Sequence, residues 1–253
     1  MYPPLDHRIH LLDEPLARDL SIDDARALLA SGVACASPVR GAIYGALLND
    51  AVALAALGEA VREPPYKASP QAPILYIKPR NTQVGHGARV VVPKDAPGIV
   101  VGASLGIVIG RTASHVSAGS ALDYVGGYTI VADLSIPHES VYRPSVRMRA
   151  RDGFCVIGPI VVARRHVADP DALDIVVEIE GGATFRASTA TSIRHVAQLI
   201  SDVTEFMTLS AGDVLTLGVP HGVPVIGADE TVSITIGAWP PLRFSTIAEG
   251  EAR

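Results

Sequence analysis

The run from Ile99 to Ile109 restricts how this chain can fold more than any other segment. Six of its eleven residues are Ile or Val, and glycines stand at 102 and 106. Branched Cβ atoms favour an extended backbone and the glycines work against a helix, so the run predicts one unusually long strand. It falls well short of the ~20 apolar residues that a bilayer-spanning helix needs. No membrane span is expected. The opening residues, Met1 to Asp6, hold prolines and an acid where a secretory leader would hold an apolar stretch, so a cytoplasmic location is expected.

The rest of the chain extends the same reading. Its 253 residues are 48% hydrophobic, enough to bury a full core, and only 5% aromatic. With 23 Gly and 19 Pro, that content predicts many short strands joined by tight turns. The expected fold is α+β and β-rich, with a few short helices. Cys35 and Cys155 stand far apart with no His or Cys beside them, which suggests buried thiols rather than a disulfide or a zinc site. A net charge of -5 leaves no basic footprint for nucleic acid. The one basic cluster, Arg143, Arg147, Arg149 and Arg151, is read as a solvated strand edge, with an anion-binding rim for a carboxylate substrate as the alternative.

Residues 1–40 are expected to form an appendage, with Ser21 capping a short helix that runs through Ala25 to Ala30. The main domain is expected over 41–253. It starts with a strand-like run at Ala42-Ile43-Tyr44 and an Ala/Leu-rich helix from Leu47 to Ala60, followed by a proline-rich loop from Arg62 to Pro73. Strands are predicted at Ile74 to Ile77, Val90 to Val92, Tyr128 to Ala132 and Asp174 to Glu180, the last closed by a turn at Gly181-Gly182. Ser117 to Ser120 introduces a short helix, Ala121 to Val125. The clearest helix runs from Thr191 to Met207, with Ile193, Val196, Leu199, Ile200, Val203 and Phe206 on one face. Final strands follow at Val214 to Leu217 and Thr231 to Ile236.

Gly102-Ala103-Ser104-Leu105-Gly106 matches G-x-S-x-G, the nucleophile elbow of α/β hydrolases. An elbow needs a strained turn at the serine and then a helix. Here Ile107-Val108-Ile109 continues the strand, so Ser104 is expected to project sideways from a sheet, and a serine hydrolase is the weakest reading. His86, between two glycines, is read as a surface histidine, and Trp239 as packing for a terminal turn.

Six segments, in order and spacing, resemble the fumarylacetoacetate hydrolase family: Pro65-Tyr66-Lys67, Ile77-Lys78-Pro79-Arg80-Asn81-Thr82, Leu105 to Gly110, Ala121 to Tyr128, Ala132-Asp133 and Leu209-Ser210-Ala211-Gly212-Asp213. They cover residues 41 to 245. Tyr142-Arg143-Pro144, Arg151 to Cys155 and Glu205 to Leu209 resemble most the N-terminal half of the family's bifunctional isomerase/decarboxylases of 4-hydroxyphenylacetate (homoprotocatechuate) breakdown, whose halves are tandem copies of one fold. The resemblance implies the mixed β fold of the family's C-terminal domain. It also implies an N-terminal-type subunit that pairs, as homodimer or heterodimer, with a paralogous C-terminal-type catalytic subunit. The implied substrates are 2-oxo or 2-hydroxy di- and tricarboxylates: decarboxylation of 5-oxopent-3-ene-1,2,5-tricarboxylate and isomerisation of 2-hydroxyhepta-2,4-diene-1,7-dioate. In the family, carboxylates hold Mg2+ or Mn2+, which takes up charge as an enolate forms.

This sequence departs from that pattern. The family's three metal carboxylates fall on Gly102, Ser104 and Asp133, of which only Asp133 can ligate. A hard dication needs several oxygens near ~2.1 Å, so weak or no Mg2+ or Mn2+ binding is expected here, with the metal in the partner subunit. The family's mobile His and Glu fall near Val52 and Ala55, and its Arg after the ligand Asp becomes Pro137. Lys78 matches a family Lys and Arg149 stands where a Lys is usual; with Arg143, these are the expected grips on a substrate carboxylate. Two readings follow: a subunit with a modified, metal-independent pocket at Lys78, Asp133 and Arg149, or a catalytically inactive partner that completes a metal-bearing copy of the fold.

Overall fold

The computed structural model describes residues 7–11, 18–138 and 145–251. Among these, the chain runs through β1 (His7–Leu11), β2 (Arg18–Asp19), α1 (Ile22–Ala30), β3 (Cys35–Ala36), β4 (Ile43–Leu47), α2 (Ala51–Ala56), β5 (Ile74–Lys78), β6 (Gln83–Val84), β7 (Arg89–Val92) and β8 (Ile99–Ile109). It continues through β9 (Val125–Ser135), α3 (Val146–Arg149), β10 (Cys155–Ala163), β11 (Asp174–Ile179), β12 (Thr184–Ser188), α4 (Val196–Thr204), β13 (Val214–Thr216), β14 (Val225–Ile226), β15 (Thr231–Ile236) and β16 (Leu242–Ala248). The β-rich mixed architecture with short helices is the one expected.

The larger sheet has the order β2-β1-β10-β9-β8-β13-β4-β5, with β14, β3 and β6 joined at its sides; the smaller has the order β12-β11-β15-β16-β7. At the centre of the larger sheet, β8 and β9 pair antiparallel over their length, placing Gly102 opposite Asp133 and Ser104 opposite Val131. Side chains on a strand alternate between its two faces. Ala103, Leu105 and Ile107 of β8 therefore join Tyr128, Ile130 and Leu134 of β9 in the main core, where Val177, Ile234 and Phe244 of the smaller sheet meet them. Fully burying a side chain such as Leu or Ile contributes roughly 1.5–3 kcal/mol, which is why a strand this apolar must be covered on its core face.

The other face carries Gly102, Ser104, Gly106 and Val108, and it is buried as well. A smaller apolar cluster of Val39, Ile43, Val108, Val131, Cys155, Ile157, Val161 and Val214 fills part of it. The larger sheet rolls around this cluster. β5 lies three strands from β8, yet β6 begins only five residues after β5 ends and pairs with β10 on the far side of β9. That return brings the end of β5 over the β8–β9 ladder.

Several elements differ from expectation. The Leu47 to Ala60 helix is only α2 plus a 3-10 turn at Gly58–Val61, because Leu47 pairs with Ile74 in the sheet and Leu48 (φ 53°) and Gly58 (φ 53°) break the helical path. Asp50 caps α2 by accepting from the Ala53 N–H at 2.7 Å. The Thr191 to Met207 helix shrinks to α4, leaving Ile193 and Phe206 exposed. Asn49 takes both backbone groups of Arg194, so the chain cannot turn helical before His195. The described members of the basic cluster form no strand edge: Arg147 and Arg149 sit in the single helical turn α3, Arg147 and Arg151 pair with Asp95 at 3.3 and 3.2 Å, and Arg149 turns inward. Among the described residues before 41, β1 pairs with β10 of the larger sheet. Ser21 caps α1 as read, Trp239 is buried in the turn between β15 and β16, and both cysteines are buried.

His86 is likewise not a surface residue. It is 4% exposed, and its Nδ1 accepts the Arg243 backbone N–H at 3.1 Å. Burial pushes its pKa from 6.5 down to about 4, and the charge of Arg243 adds to the shift. A base whose folded pKa lies below its unfolded one gives stability that is fully present above the unfolded value and is lost as pH falls through the folded one. The difference is about 3 kcal/mol between pH 6.5 and 4. Urea unfolding of wild type and His86→Gln across that window is expected to show the acid loss flattened in the variant; parallel losses would contradict the assignment.

Candidate functional site

Lys78 and Tyr76 stand two apart on β5 and therefore point the same way, into the roll. The Lys78 ammonium donates to the carbonyls of Leu134 at 2.7 Å, Phe154 at 2.9 Å and Arg149 at 3.0 Å, and lies 2.6 Å from Asp133 Oδ1. An ammonium has three N–H groups. The three carbonyls take all of them, so the contact with Asp133 is Coulombic and no donor remains for a ligand. Both side chains are 1% exposed.

The second oxygen of Asp133 accepts the Tyr76 hydroxyl. The Tyr76 ring crosses the place where a side chain at Gly45 would sit, since a Cβ there would lie 2.1 Å from it. Arg149 stacks on that ring, 4.7 Å from its centroid, with Nη1 3.8 Å from Asp133 Oδ1. Burial pushes the Asp133 carboxyl up, to about 7, against the charge of Arg149, and pushes the Lys78 ammonium down, to about 7. Their mutual attraction at 2.6 Å opposes both shifts, and the arrangement holds them as an ion pair. Cys155, paired with Asp133 across the ladder, is a buried thiol pushed up to about 12.

Beside this cluster, Gly102 and Ser104, the two positions where the sequence resemblance leads one to expect metal carboxylates, are occupied by other contacts. A Cβ at Gly102 would lie 2.5 Å from the Asp133 carbonyl oxygen and 2.8 Å from Val219 Cγ2. Ser104 is fully buried, and its Oγ accepts the Gly218 N–H at 3.1 Å. The segment 217–221 thus lies across both positions. Asn49 holds it through the Leu217 carbonyl at 2.7 Å, and Asp50 accepts the His221 N–H at 3.3 Å. Among the described residues, no group of three or more His, Cys, Asp or Glu is placed to hold a metal ion. The donor set fits a dication poorly: a glycine, a hydroxyl engaged by backbone and a carboxylate already facing an ammonium.

Ser104 sits in mid-strand within continuous β8, with neither the turn nor the helix of a nucleophile elbow. Its observed part is to hold segment 217–221. Ser104→Ala is expected to lose about 1 kcal/mol in thermal or urea unfolding and to leave ester hydrolysis at background. A measurable esterase abolished by the substitution would overturn this assignment.

Of the residues marked in the sequence, Lys78, Asp133 and Arg149 come together, and Gly102 and Ser104 share their face. Arg143 lies outside the described residues, as do Tyr142 and Pro144. Val52 and Ala55 are exposed on α2. Sequence reasoning missed Tyr76 and Val219. The two-residue spacing from Lys78 could have pointed to Tyr76, whereas nothing local marks Val219.

The family described as fumarylacetoacetate (FAA) hydrolase C-terminal matches residues 42–247. Over 213 residues the chain is 35% identical to a 4-hydroxyphenylacetate degradation bifunctional isomerase/decarboxylase of Salmonella dublin, covering 84% of this chain and 48% of that protein. The chain therefore spans about half the length of this curated relative. Among solved structures, a 2-hydroxyhepta-2,4-diene-1,7-dioate isomerase from Mycobacterium marinum superposes with TM-score 0.70 at 28% identity, over 86% of this chain and 79% of that one. Fumarylpyruvate hydrolase from Pseudomonas aeruginosa, in complex with Mn2+ and pyruvate, shares the fold with TM-score 0.74 at 20% identity, over 98% and 99% of the two chains. No helix among the described residues is long and apolar enough to cross a membrane.

Proposed function

Since this chain belongs to the fumarylacetoacetate hydrolase family, we propose that it is the N-terminal-type subunit of a 4-hydroxyphenylacetate-catabolic isomerase/decarboxylase assembly and holds no divalent metal of its own. The metal-dependent steps, decarboxylation of 5-oxopent-3-ene-1,2,5-tricarboxylate and isomerisation of 2-hydroxyhepta-2,4-diene-1,7-dioate, then fall to a paralogous copy of the fold that keeps its carboxylates. The match to half of a bifunctional relative supports the pairing.

One observation carries the reading. Position 102 has no room for a side chain, and the only remaining carboxylate of the three is neutralised from within by Lys78. A dication at Asp133 would have to displace a buried ammonium held by three carbonyls, and the cost of stranding that charge weighs against it. With no Lewis acid to take up charge, this chain's own residues have little means to stabilise an enolate.

The test is an assay of both reactions with the purified chain alone, with a metal-bearing paralogous chain alone, and with the two mixed, in the presence of Mg2+. The isolated chain is expected to show no turnover and the mixture to be active. Turnover by the isolated chain at the rate of the mixture would overturn the reading.

A further inference from the structure

We infer that residues 51–73, together with the open edge of β5, form the surface on which a second copy of this chain docks. The inference goes beyond the function proposed above and does not depend on it, since it concerns contact between identical chains.

Burial gives the first argument. Residues 51–73 run from α2 through the proline-rich loop as an arm in which no residue is buried, although Ala, Val, Leu, Pro and Tyr make up most of it. A single exposed Leu or Val is ordinary, but an apolar stretch of this length left open to water marks a contact surface. The helix within the arm sharpens the point. α2 is six residues long, buries no side chain and is capped by Asp50. Helices shorter than about 12–15 residues are marginal in water unless an apolar face is packed, and α2 gains little of that packing within its own chain.

The neighbouring sheet edge is open as well. Among the described strands, β5 ends the larger sheet and pairs with β4 alone, and its single charge, Lys78, is buried. Edge strands that face water ordinarily carry charges or a proline that prevent further pairing. β5 instead presents Ile77 at 59% and Ile74 at 36% exposure. Ile74 also lines a groove of about 380 Å3 with Leu48, Val61, Tyr66, Pro70 and Pro73, so arm and strand make one apolar margin.

Size and charge identify the occupant. A stable protein interface takes about 20–30 residues from each side, and the twenty-three residues of the arm supply that number. The whole chain carries a net charge of -5, so two copies repel in most orientations. The arm is the exception, with Glu59 and Glu63 balanced by Arg62 and Lys67. Glu59 and Arg62 pair at 3.4 Å within one copy, and Glu63 and Lys67 are then placed to pair across a two-fold axis. A two-fold contact uses the same patch on both chains, so the patch must tolerate itself. A neutral, apolar arm does.

Sedimentation velocity of the whole chain over a concentration series tests this. Wild type is expected to be a dimer that dissociates on dilution. Val52→Glu places a charge on α2 at a side chain already 51% exposed, and glutamate is the better helix former, so the single chain keeps its fold. The dimer dissociation constant should rise by about tenfold or more. Val225→Glu, on β14 and 54% exposed, makes the same change outside the arm and should leave the constant unchanged. Circular dichroism checks the fold of each variant. Hydrogen exchange at the amides of 51–61 gives a readout that needs no variant, since their protection should grow with protein concentration. The inference is overturned by wild type that stays monomeric, by a dimer that Val52→Glu leaves intact or that Val225→Glu weakens equally, by exchange independent of concentration, or by association with a paralogous chain only. None of these outcomes bears on turnover or metal retention, which test the function proposed above.

Discussion

Lys78→Met is expected to destabilise the protein by about 3–5 kcal/mol in urea unfolding, the largest effect of any single substitution at the site. The size comes from what the substitution strands rather than from the pair's own strength. Without the ammonium, Asp133 is a fully buried carboxylate whose nearest remaining cation is Arg149 at 3.8 Å, and three backbone carbonyls lose their shared donor. Lys78→Met with Asp133→Asn removes both charges and keeps an acceptor for the Tyr76 hydroxyl. It is expected to recover a large part of the loss, because replacing a buried ion pair as a unit is often close to neutral. If the double variant is as unstable as the single one, the carbonyl contacts and not the charge pair dominate.

Gly102→Ala is the second large effect. One contact of the new Cβ is with a side chain, Val219, which can move; the other, 2.5 Å, is with the backbone carbonyl of Asp133, which cannot move without opening the β8–β9 ladder. Overpacking of a buried site costs typically about 1–3 kcal/mol, and the backbone contact puts this case at the upper end. Val219→Ala in the same chain should relieve only the side-chain part. Equal stability of Gly102→Ala and wild type in urea would show that position 102 still has room for a side chain, and would remove the steric half of the metal-free reading.

The parts of the fold that were legible in the sequence are those where local preference and burial agree. The run Ile99 to Ile109 is continuous strand because β-branched residues dominate it, and the turn at Gly181-Gly182 forms because Gly181 adopts φ 71°. The α4 periodicity was read too far in both directions. Ile193 and Phe206 continue the apolar spacing, but Asn49 captures the backbone at Arg194 and the last helical residue is Thr204, facts that spacing alone does not contain. His86 looked like a turn residue between glycines. Its burial depends on Arg243, 157 positions away.

The site divides in the same manner. The absence of carboxylates at Gly102 and Ser104 is visible in the sequence, as are Lys78, Asp133 and Arg149. That Lys78 has no free donor is not, because Leu134, Phe154 and Arg149 contribute main-chain carbonyls, which every residue type carries. Val219 filling the space at Gly102 depends likewise on segment 217–221 being tied down by Asn49 and Ser104.

Equilibrium dialysis of the purified chain against Mn2+, with retained metal counted per chain, tests most directly whether Lys78 has taken over the charge balance at Asp133. The account predicts no retention above the buffer level, in wild type and Asp133→Asn alike. One tightly held ion per chain, lost on Asp133→Asn, would contradict it.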